Sequence, residues 1–348
     1  MRFVIHGAGA LGSLVGGRLA ASGAKVVLVG RDPHIAAIME RGLEIRSPED
    51  RQIISNLSAY TSLDSIIPGG PTANDILILA VKSAATPLAV QELRERFGET
   101  TPLFCLQNGI RNEELAARRF LHVYGIMAGL VVRMIEPGVV AQIFYNDLAL
   151  GGYPLGCEGT GRQVAEALRQ AGFNVTTHDS IMAVKWSKLV LNLNNATLAI
   201  IDCHLQLAMV TPPVALFMAE VVDEALRVLE AAGIPVIEPA NPYNLAAYVE
   251  QLRQISRGPH GSAAVDAARH LPVDQRAYPS TWTDLQEERG DTEAGFLNGE
   301  IILLGEKFGV PTPYNSTLLN VVEQLAVERA RPGRFSIEQL SSLVSSRS

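Results

Sequence analysis

The sequence predicts an α/β chain in two parts, a doubly wound parallel-sheet half followed by an all-α half. Three observations carry this prediction. A short apolar strand, Arg2 to His6, runs straight into a glycine-rich turn and a helix, Ser13 to Ser22, with a second strand, Lys25 to Val29, behind it. Up to about residue 180, apolar runs alternate with helical segments. Within them Asp75 to Val81 is almost unbroken in apolar character, as a strand covered on both faces requires. After Asp179 the strand signals almost vanish. The expected domains are therefore residues 1–179 and 180–348.

In order along the chain, Pro102 to Leu106 is a further buried strand. Val123 to Arg133, Gly138 to Tyr145 and Leu148 to Gly151 are punctuated by Pro137-Gly138 and Asn146-Asp147. They read as hairpins that extend the sheet in antiparallel or mixed fashion. A helix from about Gly161 to Ala171 and a strand near Phe173 to Thr177 close the first half. Ile181 to Asp202, Val214 to Ala232, Asn241 to Ile255, Thr292 to Phe308 and Asn315 to Arg329 carry helical spacing, punctuated by Gly233, Gly309 and prolines. Phe335 to Arg347 adds one short helix, and no internal repeat or low-complexity tract is present.

Composition narrows the function classes. A chain of 348 residues can bury two substantial cores, and 47% hydrophobic with 19% charged residues is the profile of a soluble globular protein. A net charge of -7 without a basic stripe argues against nucleic acid as a partner. No apolar run approaches the roughly 20 residues that cross a bilayer, and Phe3 to Ile5 is too short for a signal peptide. Cys105, Cys157 and Cys203 are odd in number and far apart, so they predict idle or buried thiols in a reducing cytoplasm. His34, His122, His178, His204, His260 and His270 are scattered packing or surface residues, and no cluster has metal-ligand spacing.

The turn Gly7-Ala8-Gly9-Ala10-Leu11-Gly12 is Gly-x-Gly-x-x-Gly in the strand–turn–helix–strand context that makes it a Rossmann-type dinucleotide signature. Gly7 permits the tight turn, Gly9 lets a pyrophosphate reach the backbone, and Gly12 lets helix and strand close up. The helix N-terminus then offers free N–H groups to the phosphates. The second strand ends Val29-Gly30-Arg31-Asp32. A guanidinium at Arg31 suits a 2′-phosphate and so favours NADP(H). The alternative is that Asp32 holds the ribose of NAD while Arg31 is a solvated surface charge.

Two polar clusters stand out in the helical half. Lys188, Asn192 and Asn195 lie at i, i+4 and i+7 in a segment that is otherwise apolar nearly all round. Such groups need partners, and a ligand is one of them. Pairing of Lys188 with a carboxylate, and asparagines that serve internal turns, are the structural alternatives. A desolvated lysine suits a proton donor to a carbonyl oxygen. Farther on, Ser280 and Thr281 precede Asp291, Thr292 and Glu293. Asp291 or Thr292 is expected to cap a helix with Glu293 in its first turn.

Several of these motifs occur in a fixed order: Gly7-x-Gly9-x-x-Gly12 with Arg31, Ala80-Val81-Lys82, Leu106-Gln107-Asn108-Gly109, Lys188-Leu189-x-x-Asn192 and Glu293-x-x-x-x-Asn298-Gly299. Together they resemble the ketopantoate reductase (2-dehydropantoate 2-reductase) family over nearly the whole chain. The resemblance implies an NADPH-dependent oxidoreductase of pantothenate biosynthesis that reduces a small 2-keto acid, with Lys188 as general acid and Glu293 as its partner carboxylate. It implies that Lys82 and Asn108 flank the cofactor, and that Asn108, Asn192 and Thr281 touch substrate. In two places the chain departs from the family pattern: Ala196 stands where a second asparagine is common, and Gly295 where an acidic residue is. Two other readings stay open. One is a dehydrogenase of the 6-phosphogluconate, glycerol-phosphate or opine type, against which the second half lacks clustered Arg and Lys. The other is a cofactor-binding sensor without catalysis. A homodimer built on the apolar helical half is also expected.

Overall fold

The computed structural model describes residues 1–47, 50–66, 71–237, 244–258 and 263–346. The expected helix start at 241–243, His260 and Arg347 lie outside them. In chain order the strands and helices begin β1 (Arg2–His6), α1 (Ala10–Ala21), β2 (Lys25–Val29), α2 (His34–Arg41), β3 (Leu43–Arg46), β4 (Arg51–Ile54) and β5 (Ser58–Tyr60). There follow β6 (Asp75–Leu79), α3 (Thr86–Phe97), β7 (Leu103–Cys105), α4 (Asn112–Ala117), β8 (Val123–Glu136), β9 (Val139–Gly152), α5 (Thr160–Gln170) and β10 (Asn174–Thr177). Helices α6 (Ile181–Asn192), α7 (Asn194–Ile200), α8 (Leu205–Ala208), α9 (Pro212–Ala231), α10 (Leu245–Ser256) and α11 (Ala263–Arg269) come next. The series ends with α12 (Ser280–Gln286), α13 (Asn298–Phe308), α14 (Pro313–Val327) and α15 (Ile337–Ser345).

Two compact units result, Met1–Lys185 and Trp186–Ser348. The expected boundary at residues 179 and 180 falls in the loop ahead of α6. The first turn of α6 belongs to the first unit because Ile181 and Val184 pack on Met127 and Ala149 of the sheet.

The sheet of the first unit runs β4-β3-β9-β8-β7-β6-β1-β2-β5, with β10 also paired to β9. From β5 through β2, β1, β6 and β7 to β8 every pairing is parallel. Along β1 successive residues face opposite ways. Phe3 and Ile5 enter the core on one side with Leu14 and Leu28, and Val4 enters the core on the other with Leu77 and Leu93. Helices cover both faces, which is why these strands read as unbroken apolar runs. Among the described residues two pairs are antiparallel: β3 with β4 at the sheet edge, and the long hairpin β8–β9, turned at Gly138, whose φ is +81°. Asn146-Asp147 does not break it. The register shift between Gly129 and Val131 takes up positions 145 and 146 as a bulge while Asp147 stays paired with Gly129, so the two runs expected on either side of Asn146 form one strand.

The second unit is helical, as expected. Its long helix α9 packs against α10, α13, α14 and α15. Glu224, wholly buried on α9, accepts hydrogen bonds from the backbone N–H groups of Tyr314 and Asn315 at 2.9 Å each. These are first-turn donors of α14 that no intrahelical acceptor can reach. Among the described residues no helix is long and apolar enough to cross a membrane. All three cysteines are buried free thiols.

Candidate active site

The glycine turn lies where the strand order reverses. β1 pairs in parallel with β2 on one side, with β5 beyond it, and with β6 on the other, where the parallel series continues through β7 to β8. Crevices beyond the carboxyl ends of such strands are where ligands bind in open α/β sheets. Gly7 has φ +114°, and a Cβ there would stand 2.5 Å from the backbone of Ala80 and Val81. A Cβ on Gly12 would collide with the Gly7 carbonyl oxygen. Gly9 is the opposite case: it is exposed, and a Cβ would meet nothing within 4 Å. Gly9 caps α1 with no side-chain hydrogen bond to the helix, and Ala10 and Leu11 open its first turn. The free N–H groups there therefore face outward beside the one glycine that need not be a glycine for packing. A Cβ on Gly30 would stand 2.7 Å from the Ala8 Cβ, so the end of β2 lies against the same turn. Arg31 and Asp32 follow it, both exposed.

The loops after β6 and β7 are knitted into one piece. The Gln107 side-chain amide donates to the Val81 carbonyl and to Thr86 Oγ1, both at 2.8 Å. Thr86 Oγ1 in turn donates to Asn112 Oδ1 at 2.8 Å. The Asn108 carbonyl accepts from Asn112 Nδ2 at 2.8 Å and from Ser83 Oγ at 3.2 Å. Lys82, exposed, caps the short 3-10 turn Ser83–Ala85, and Asn108 is half-buried. The network fixes the two loops that carry these side chains, and Gln107 of the Gln-Asn-Gly motif is its central member.

Helix α6 carries a second lysine beside Lys188. The fully enclosed lysine is Lys185, 4% exposed, which forms an ion pair with Glu113 of α4, itself wholly buried. Among the described residues the second oxygen of Glu113 has no hydrogen-bond partner. Burial, with the Glu113 charge adding to it, pushes the neighbouring Cys105 thiol well above its usual range. Lys188 is half-buried one turn farther along. Sequence spacing could not find the pair, because its members stand 72 residues apart.

The expected single helix from Ile181 to Asp202 is also stepped. At Leu193 the backbone N–H bonds to the Val190 carbonyl at 3.3 Å, an i to i−3 bond that tightens the helix between α6 and α7. Lys188 and Asn192 stay on one face of α6, whereas Asn195 lies beyond the step. Asn194 is the buried asparagine: it donates to the Met218 carbonyl and accepts from Thr197 Oγ1, each at 3.1 Å. It is structural. Ala196 is 1% exposed.

Thr281 is 1% exposed in the first turn of α12, so Ser280 and Thr281 stand within a short helix of their own. Trp282 beside them donates to Asp202 Oδ1 at 2.7 Å and stacks on Tyr278 with centroids 4.0 Å apart. Glu293 does not sit in the first turn of an α-helix, as was expected. It caps the 3-10 turn Ala294–Phe296, and α13 starts only at Asn298, after Leu297 at φ −120° and ψ −84°. A Cβ on Gly295 would stand 3.4 Å from Glu323 Oε1, so α14 brings a carboxylate to the position where the family pattern has an acid.

Comparison with known proteins bears on both units. The profile described as Ketopantoate reductase PanE/ApbA matches residues 3–155, and that of its C terminal part matches residues 180–326. The chain is similar to a 2-dehydropantoate 2-reductase of Streptococcus pyogenes serotype M3, 26% identical over 328 residues, which is 92% of this chain and 97% of the relative. A PanE/ApbA family ketopantoate reductase from Ralstonia eutropha JMP134 has a TM-score of 0.77 at 25% identity, over 94% of this chain and 99% of that one. A D-mandelate dehydrogenase solved with NADH and anilino(oxo)acetate shares the fold, with a TM-score of 0.77 at 24% identity and the same coverage. With both units matched, and a relative aligned almost end to end, the chain belongs to the ketopantoate reductase family, nicotinamide-dependent oxidoreductases acting on CH–OH groups.

Proposed function

We propose that this protein uses NADPH to reduce a small 2-keto acid to the 2-hydroxy acid, with 2-dehydropantoate to pantoate as the first reaction to test. The observation that carries the reading is the open face at Gly9, set between two glycines that tolerate no side chain. Backbone from Gly7 through Ala8, Gly9, Ala10 and Leu11 to Gly12 fits a pyrophosphate there. Arg31 suits the 2′-phosphate, and Lys82 and Asn108 the nicotinamide side. When bound, the cofactor supplies a hydride to the ketone carbon. Lys188 donates its ammonium proton to the ketone oxygen as the carbonyl π pair moves onto that atom, and regains a proton from solvent. Charge stabilised where it develops lowers the barrier most. Glu293 orients and tunes the lysine, and Asn108, Asn192 and Thr281 hydrogen-bond the substrate.

Ala196 and Gly295 both depart from the family pattern on the substrate side, which favours a second reading with the same chemistry and another 2-keto acid. The D-mandelate dehydrogenase solved with NADH and anilino(oxo)acetate makes NADH with an aryl-substituted 2-keto acid the next pairing to assay. The test is cofactor consumption with 2-dehydropantoate and a panel of 2-keto acids. Lys188→Ala should lower kcat by about 10²- to 10⁴-fold while NADPH affinity holds. Tight NADPH binding with no turnover of any acid would instead indicate a sensor. A homodimer and a cytoplasmic location complete the reading. The dimer is supported by the exposed apolar side chains Leu205, Leu216, Leu303 and Phe308 of the helical unit, and light scattering checks it.

A further inference from the structure

We propose that Asn298 is a positioning residue of this reaction, clamping the helix step at Leu193 that follows Lys188 and Asn192 to the turn that carries Glu293. The proposal rests on the roles given above to Lys188 and Glu293.

Asn298 is 1% exposed and opens α13, on the far side of the 3-10 turn that Glu293 caps. Its side-chain N–H groups go to the Leu193 carbonyl at 3.2 Å and to Asn315 Oδ1 at 2.9 Å. The Asn315 amide donates to Glu224 Oε1 at 2.8 Å and to the Val221 carbonyl at 3.4 Å. A backbone carbonyl only accepts, so the orientation of both amides is forced. Glu224 is anchored by two backbone N–H groups of α14. The chain of bonds thus runs from the Leu193 step through the heads of α13 and α14 to the middle of α9, and all of it lies inside the second unit.

A tightened turn within a helix often marks a hinge or strain. At this step an i to i−3 bond of 3.3 Å replaces the normal ladder, directly after Asn192. A buried amide that bonds the carbonyl at such a step resists its rewinding into a regular helix. The same side chain sets the distance from α6 to the Glu293 turn. A stability role alone would need only that every polar atom be matched. It would not need one amide to join the two segments that hold the proposed acid and its carboxylate.

Asn298→Ala removes both donors, and Asn298→Ser keeps one hydroxyl donor in case the alanine variant does not fold. The readouts are kcat, KM for the keto acid and Kd for NADPH, taken below the melting temperature, together with hydrogen exchange of the amides at 193–197. The alanine variant should lose about 10- to 100-fold in kcat, because a small misplacement far from the chemistry has that effect. NADPH affinity should stay within about twofold, since the cofactor contacts lie in the other unit. Exchange at the step should quicken, and serine should recover part of kcat. Unchanged kcat per folded molecule in both variants, with only the melting temperature lowered, would overturn the proposal. An inactive wild type would remove the functional reading itself, whereas an active wild type with fully active variants removes this inference alone.

Discussion

A single methyl group separates the roles of the three glycines in the first turn. At Gly7, with φ +114°, an added Cβ would stand 2.5 Å from the backbone of Ala80 and Val81, so Gly7→Ala must move the β6 loop. Left-handed strain alone costs of order 1–3 kcal/mol, so this variant should show a lowered melting temperature without any ligand. Gly9→Ala meets nothing within 4 Å and should melt like the wild type while its NADPH affinity falls at least tenfold, as fluorescence titration will read. Equal NADPH affinity in Gly9→Ala would remove the pyrophosphate from this turn. This pattern was legible in the sequence because motif and context are local. The Lys185–Glu113 pair was not, since only the fold brings residues 72 positions apart together. Removing one partner should cost roughly 3–5 kcal/mol, because it strands the other charge in the core. The double change Lys185→Met with Glu113→Gln should cost well under the sum of the two, and urea unfolding of the four proteins checks it. Additive losses would mean the two side chains are not coupled.

At the scale of elements, His34 ties three of them together. It stands at the start of α2, meets Ser13 Oγ of α1 at 2.9 Å through Nε2, and accepts the Gly138 N–H at the β8–β9 turn through Nδ1 at 2.9 Å. An Nδ1 that accepts carries no proton, so the ring is neutral with its proton on Nε2. Burial lowers its pKa from the reference near 6.5. The unfolded chain therefore binds the proton more readily. The stability His34 contributes is complete above about pH 6.5 and is lost as pH falls through the lowered folded value. Melting temperature should drop from pH 7 to pH 5, and His34→Gln should show a shallower slope. His6 and His178, also lowered by burial, contribute to the slope that remains. An unchanged slope in His34→Gln would show that the hairpin turn is not the acid-sensitive joint. The turn at Pro137-Gly138 was readable beforehand, as were β6, β7, α9 and α14. The short strands β3, β4 and β5 were not. Their Glu, Arg, Gln and Ser content hides any alternation, and β3 and β4 become strands through pairing at the sheet edge. The steps at Leu193 and Leu297 escaped too, because both lie in runs with unbroken helical spacing, and the hydrogen bond from Asn298 to the Leu193 carbonyl is tertiary.

On the scale of the whole molecule, the proposed NADPH site links cofactor binding to the folding of one unit. A ligand at about a hundred times its Kd stabilises the folded state by roughly 2.7 kcal/mol, and the proposed contacts all lie within Met1–Lys185. The melting of that unit should therefore rise with NADPH concentration. Arg31 decides how much of the gain is specific to the phosphate. Its guanidinium is exposed just beyond β2 and the glycine turn, where a 2′-phosphate would accept hydrogen bonds assisted by charge. Bonds to charged groups contribute about 1.5–3 kcal/mol each, so Arg31→Ala should weaken NADPH by roughly ten- to a hundredfold and leave NADH nearly unchanged. In melting experiments the NADPH shift of the variant should shrink to that of NADH at equal concentration. If both cofactors lose equally, Arg31 serves the turn and not the phosphate, and Asp32 becomes the group that meets the ribose. A wild type that NADH stabilises more than NADPH would reverse the proposed cofactor preference while leaving the hydride chemistry and the role proposed for Lys188 intact.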